Sequence, residues 1–207
     1  MSRPVIHVGF DQGSPAWHAI KAGKWSASKA PVIMGGLDTS GLASLIKDIA
    51  WERVYGPTEG GFKSAAMERG NEMEPESREW YAFTRGVEVE QVGFVEHATI
   101  PHVGWSPDGL IGADGAIEAK NPLHKAWMEV KRTNKVPSEY RWQTKWGFWV
   151  GQLDWLDFVA YHPAPGGLIV PCTVTESEKQ QMEERVHVLE KKVAEWVEIL
   201  TDSKEAA

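Results

Sequence analysis

Asp108, Glu118 and Lys120 are the residues of this chain whose types and spacing could do chemistry together. Asp108 lies in a Ser106-Pro107-Asp108-Gly109 turn after the apolar run Val103 to Trp105, and Glu118-Ala119-Lys120 falls in the next strand-like run, Ala116 to Ala119 and onward. Side chains two apart on a strand share a face, so Glu118 and Lys120 point the same way. A hairpin through Ala113-Asp114-Gly115 can bring Asp108 beside them.

Two carboxylates with one lysine suit phosphodiester hydrolysis. A highly charged transition state must be neutralised there while water is activated as a nucleophile. Carboxylate oxygens are hard ligands suited to Mg²⁺, and a bound divalent ion acidifies water and polarises a phosphate. A second ion can stabilise the leaving 3′-oxygen. A fixed cation such as Lys120 can orient the water or meet developing charge. By itself, Pro-Asp followed by Glu-x-Lys is a weak pattern, since an ordinary turn and an exposed ion pair look the same.

The elements that must position these residues follow from periodicity. Val5 to Phe10 is a predicted strand, and Pro15 to Ala22 and Ser28 to Met34 are predicted helices, the second with Ser28 as its N-cap. Leu42 to Tyr55 has helical spacing; Gly56 to Lys63 is a predicted exposed loop. Ala65 to Thr84 reads as one long helix carrying Pro75, followed by a strand over Val87 to Glu96. Helices over Leu123 to Asn134 and Ser138 to Gly151 lead into strands Trp155 to Tyr161 and Gly167 to Val174. A last amphipathic helix, 176–202, opens with the capping-box spacing of Thr175 and Glu178 and carries an apolar seam of Met182, Val186, Leu189, Val193, Trp196 and Leu200. That seam either covers the chain's own sheet or packs between subunits. The order implies an α/β fold, a central mixed sheet flanked by helices, in a single domain spanning 1–207.

Composition limits the alternatives. The length and 42% hydrophobic content suffice for a substantial core, and the eleven Trp are spread along the chain as packing residues. A lone cysteine, Cys172, excludes an internal disulfide framework. No stretch resembles a secretion signal or a membrane span, so a cytoplasmic location is expected. The formal charge of −7 argues against a protein that coats nucleic acid through a broad basic surface. An enzyme that encloses DNA, with its few cations inside and its acids outside, remains compatible.

Beyond the core pattern, the chain resembles the lambda-exonuclease, or YqaJ-type viral recombinase, family of PD-(D/E)xK nucleases. The likeness is carried by Ser106-Pro107-Asp108-Gly109-Leu110 and by Glu118-Ala119-Lys120 with Pro122. It is also carried by Gln12-Gly13, Ala16-Trp17-His18, Gly23 and Ser26-Ala27-Ser28 near the start, by Arg69-Gly70-Asn71-Glu72-Met73-Glu74, and by Tyr140 with Gln143 and Trp149. These motifs run in the family's order over roughly 12–162.

The resemblance implies a restriction-endonuclease-like core and a 5′→3′ double-strand DNA exonuclease that releases mononucleotides and leaves 3′ single-stranded tails. It also implies a phage or prophage origin. Asp108, Glu118 and the Ala119 carbonyl would hold Mg²⁺, two ions in all, with Mn²⁺ able to substitute. Glu74 would reach the metal directly or through water, Lys120 would assist the attacking water, and Gln143 would brace the site or the phosphate. Without the resemblance, Glu74 reads as a solvated helix face and Gln143 as a polar contact beside a packing stripe. Lys21, Ser28 and Ser106 fall where the family grips a 5′-phosphate, with lysine standing where arginine is usual; Ser28 is equally suited to capping a helix. Met67 falls at the position of an apolar wedge, or in the core. A homotrimeric ring and a single-strand annealing protein are the implied partners. Rival expectations are a PD-(D/E)xK endonuclease or repair nuclease, and a DNA-end-binding protein that has lost catalysis.

Overall fold

The computed structural model describes residues 2–58 and 65–205, the side chains at 65–68, 71 and 203–205 excepted. The predicted loop Gly56 to Lys63 therefore lies partly outside the described residues. Eight strands and seven helices follow in order: β1 (Val5–His7), α1 (Pro15–Lys21), β2 (Trp25–Ser26), α2 (Ala30–Ile33), α3 (Ser40–Tyr55), α4 (Ala65–Arg85), β3 (Phe94–Glu96), β4 (Val103–Trp105), β5 (Gly109–Ile111), β6 (Gly115–Lys120), α5 (His124–Thr133), α6 (Arg141–Gly151), β7 (Trp155–His162), β8 (Gly166–Pro171) and α7 (Glu176–Glu205).

The expected α/β architecture of mixed sheet and flanking helices is present, but the strands divide into two four-stranded sheets, ordered β1-β3-β4-β2 and β5-β6-β7-β8. Each sheet contains one parallel pair, β2 with β4 and β6 with β7. The division falls at Ser106-Pro107-Asp108. Pro107 has no amide to continue a ladder, and Gln12 holds its carbonyl from outside the sheet at 2.8 Å. The predicted strand Val87 to Glu96 breaks for the same reason: Glu90 bridges to Leu110 in one sheet, whereas Phe94–Glu96 pairs with β1 and β4 in the other. A segment that crosses between sheets cannot be one strand.

Helix α4 stays continuous through Pro75. Ser28 is not a helix cap: it sits inside a 3₁₀ turn, Ala27–Lys29, whose N-cap position is Ser26, and its hydroxyl meets that of Ser26 at 3.3 Å. The short strand β2, too brief for any period, went unpredicted. At the C-terminal end the capping box closes as expected, the Thr175 amide donating to Glu178 and the Glu178 amide to Thr175 Oγ1. The α7 seam is used within the chain except at Trp196, which stays 36% exposed with Lys47 Nζ 5.0 Å from its ring centre. Met182, Val186, Leu189 and Val193 are fully buried in the main core with Trp25, Trp105 and Trp146, against α3 and α6. A second core, Tyr81, Ile117, Ala119, Val159 and Tyr161, lies between β6–β7 and α4.

Candidate active site

The hairpin expected to gather Asp108, Glu118 and Lys120 forms as β5–β6, pairing Gly109 with Ile117 and Ile111 with Gly115. Asp108 is one residue before β5 begins, and its Oδ2 accepts the Ala119 amide at 2.7 Å. A side-chain carboxylate thus replaces the next backbone rung of the ladder. Amide and carbonyl of one strand residue face the same edge, so the Ala119 carbonyl is turned toward Asp108 as well.

Glu118 and Lys120 share the opposite face of β6 from Ile117 and Ala119, which go to the second core. Glu118 is 1% exposed, and its Oε1 accepts both Lys120 Nζ and Gln143 Nε2 at 2.5 Å. Gln143 comes from α6, which the parallel crossover between β6 and β7 lays over this face. Lys120 Nζ is also 3.7 Å from Asp108 Oδ2 and 5.6 Å from the centre of the Tyr140 ring. The structure therefore brings Asp108, Glu118, Lys120 and Gln143 into one constellation.

Glu74 approaches from α4, paired with Arg78 one turn on; Arg78 also reaches the Asp108 carbonyl at 3.5 Å. The start of that helix is tied to the end of β6 by Arg69 donating to the Asn121 carbonyl at 2.6 Å and by Asn121 donating to the Gly70 carbonyl at 3.2 Å. Sequence reasoning missed Arg78, Asn121 and Trp105, and named Arg69 only within the family motif, without its contact to Asn121. Of the three missed, only Arg78 had a signal, its i,i+4 spacing from Glu74.

Burial pushes the Glu118 carboxyl up to about 7, and Asp108 adds to the rise while Lys120 opposes it. Burial opposes the charge on Lys120, yet Glu118 and Asp108 outweigh it and hold the ammonium well above the ordinary lysine range. Glu74 is raised too, by burial and the Asp108 charge, against Arg78 and Lys120. Three carboxylates crowd around one lysine, an excess of negative charge that a cation would relieve.

One atom makes the fit to a divalent metal specific. Among the described residues Glu118 Oε2 is buried with no hydrogen-bond partner, beside a Trp105 indole that favours the charge without closing a hydrogen bond and whose own Nε1 finds no partner among them. A buried carboxylate oxygen left open costs free energy unless something else binds it. Among the described residues no three acids close into a ready-made cluster. Mg²⁺ does not demand one, since it keeps several waters and takes one or two carboxylates. Asp108, Glu118 and the Ala119 carbonyl are the groups that would supply such a set, and Glu74 is close enough for the Asp108 charge to raise it.

A second group of polar residues lies at the neighbouring strand ends. β2 pairs with β4, setting Ser26 opposite Gly104, two residues before Ser106. Trp17 Nε1 donates to Ser106 Oγ at 2.8 Å, and Lys21 Nζ stands 4.1 Å from the centre of the same ring. Ser28 joins through its contact with Ser26. Burial and the nearby Lys29 pull the Lys21 ammonium down to about 8, partly opposed by Glu52. The side chain of Met67, the candidate wedge, lies outside the described residues.

Mixed sheets, flanking helices and a carboxylate–lysine hairpin at a sheet edge define a nuclease of the restriction-endonuclease-like class. The chain belongs to the YqaJ-like viral recombinase domain family, whose model matches residues 16–154. It is similar to the alkaline exonuclease LHK-Exo of Laribacter hongkongensis, at 27% identity and a TM-score of 0.84, covering 94% of this chain and 100% of that one. The same enzyme in complex with dAMP matches at 28% identity, with the same TM-score and coverage. A phage-related exonuclease of Haemophilus somnus 129PT shares the fold, at 15% identity and a TM-score of 0.61, over 87% of this chain and 96% of that one. No curated protein matches. Family and structural likeness together support a nuclease role. Among the described residues no helix is long and apolar enough to cross a membrane.

Proposed function

We propose that the protein is a Mg²⁺-dependent 5′→3′ exonuclease of double-stranded DNA that releases mononucleotides and leaves a 3′ single-stranded tail for annealing. The observation that carries the reading is the buried, unpartnered Glu118 Oε2 beside Asp108 and Lys120. Its likeness to two structures of an alkaline exonuclease supports the exonucleolytic mode.

Asp108, Glu118 and the Ala119 carbonyl would hold the metal, which when bound supplies Lewis acidity toward the scissile phosphate and an acidified water. Lys120, held as an ammonium by Glu118, places fixed positive charge where the phosphate gains negative charge. Gln143 and Lys120 occupy Glu118 Oε1, which would leave Oε2 as the oxygen open to an ion. Arg78 restrains Glu74 and the Asp108 backbone together, so the acid from α4 keeps its distance to the hairpin. Lys21, Ser28 and Ser106 offer a cation and hydroxyls to a terminal 5′-phosphate, and Ser106 stands two residues before Asp108 on the same chain segment.

A homotrimer that threads DNA and a single-strand annealing partner belong to the same reading. The test is digestion of linear duplex labelled at either the 5′ or the 3′ end, with Mg²⁺, with Mn²⁺ or with EDTA, beside a closed circular control. Release of the 5′ label first, with metal and from linear DNA alone, is the expected result. Cleavage of the circle would replace the exonuclease with an endonuclease or repair nuclease, and end binding without product would leave a DNA-end-binding protein.

A further inference from the structure

Helix α1 buries none of its residues, so its place beside the active-site hairpin depends on few contacts. Trp17 makes one of them, to Ser106, and a further contact within α1, to Lys21; both partners belong to the proposed 5′-phosphate pocket. The chemistry of the two contacts differs from that of ordinary packing.

An indole N–H can only donate. Ser106 Oγ therefore accepts from Trp17 at 2.8 Å, and the hydroxyl's own hydrogen is left to point elsewhere. That fixes Ser106 as a donor, the role an anion requires. Lys21 follows Trp17 by four positions on α1 and lies over the ring face at 4.1 Å. A ring face steadies an ammonium without neutralising it, whereas a carboxylate partner would consume its charge. Lysine otherwise presents a mobile point charge where arginine presents a rigid fork. The Trp17 face supplies the missing restraint.

We infer that Trp17 is a positioning residue for recognition of the DNA end: through its N–H edge it sets Ser106 as a hydroxyl donor, and through its ring face it holds Lys21 as an un-neutralised, oriented cation for a terminal phosphate. The inference rests on the 5′-end reading given above and assigns the specificity of that pocket to a residue that need not touch DNA.

The experiment compares full-length wild type, Trp17→Phe and Trp17→Leu on linear duplexes bearing 5′-phosphoryl or 5′-hydroxyl ends, with KM and kcat measured for each. Phenylalanine keeps a ring face for Lys21 but has no N–H for Ser106; leucine keeps neither. The expected phosphoryl-over-hydroxyl ratio falls by about 3-fold to 10-fold in Trp17→Phe, the loss of one hydrogen bond to a group serving an anion. It falls further, toward that of Lys21→Ala, in Trp17→Leu. The loss lands on KM for phosphorylated ends more than on kcat, and Ser106→Ala added to Trp17→Phe costs little beyond the single change. Direct binding of the same duplexes in EDTA repeats the comparison without turnover.

Equal losses on both kinds of end would show that Trp17 merely packs α1, and an unchanged ratio would remove it from the pocket. A wild type that degrades linear duplex with metal yet ignores the end phosphate would overturn the inference and leave the nuclease reading standing. Absence of any metal-dependent product would overturn both.

Discussion

The hairpin carrying the carboxylates and the pocket carrying Lys21 lie at adjoining strand ends but are built in opposite ways. At the hairpin every group has several restraints: Glu118 is held by Lys120 and Gln143, Asp108 by the Ala119 amide and Lys120, Glu74 by Arg78. In the pocket, Lys21 and Ser106 meet through one side chain, Trp17, on a helix with no fully buried residue. The comparison separates two tasks. Metal and transition-state charge demand fixed positions before the substrate arrives, whereas recognition of an end tolerates a lighter frame because it contributes affinity rather than chemistry.

Changes on the hairpin should therefore be catastrophic and indifferent to the DNA end. Asp108→Ala and Lys120→Ala should each lower kcat by about 10³-fold or more on phosphorylated and hydroxyl ends alike, in a quench-flow or gel assay. A smaller loss, or one confined to phosphorylated ends, would dissolve the contrast between the two regions. Gln143→Ala should cost about 10- to 100-fold in kcat, the range for a hydrogen bond to a charged group, and should raise the metal concentration needed for half-maximal rate. A metal requirement left where it was would separate Gln143 from the carboxylate it holds.

The pocket should respond more mildly and selectively. Lys21→Ala should reduce the preference for phosphorylated ends by about tenfold, seen in kcat/KM on paired substrates, with the rate on hydroxyl ends much less affected. The smallest expected effect is on pH. Lys21 sits at about 8 because of burial and Lys29, and it is charged below that value. The end preference of the wild type should be full near pH 7 and fade as pH rises through about 8, and Lys21→Arg, which stays charged, should abolish the fade. A preference flat to pH 9.5 would place the cation elsewhere.

Much of the site was legible because it depends on local periodicity. Period-two alternation put Glu118 and Lys120 on one face, and the two turns closed the hairpin as their residue types required. The α7 cap and seam were equally plain, since i,i+4 spacing and a capping box are written within a few residues. What escaped was long-range. No spacing announces that Trp17 would reach Ser106 or that Arg69 would meet Asn121, and the Ser28 cap failed because a competing 3₁₀ turn begins one residue earlier, at Ala27. The two-sheet division was hidden in Pro107, whose meaning as a ladder break depends on where β5 finds its partner. Glu74 and Gln143 lay between these cases: the family pattern marked them, while their geometry depends on α4 and α6 docking.

The Asp108 carboxylate that completes the β5–β6 ladder makes one coordinate serve as both a sheet register and the proposed ligand position. Side chains alternate faces along β6, so adding or removing a single residue in the turn 112–114 would turn Ile117 and Ala119 into the reaction chamber and drive Glu118 and Lys120 into the apolar layer under α4. Lineages of this enzyme can thus vary Ala113 and Asp114 more readily than the number of turn residues, while Gly112, at φ 59°, resists exchange. Length heterogeneity at that turn should be as rare among functional descendants as loss of the carboxylates themselves.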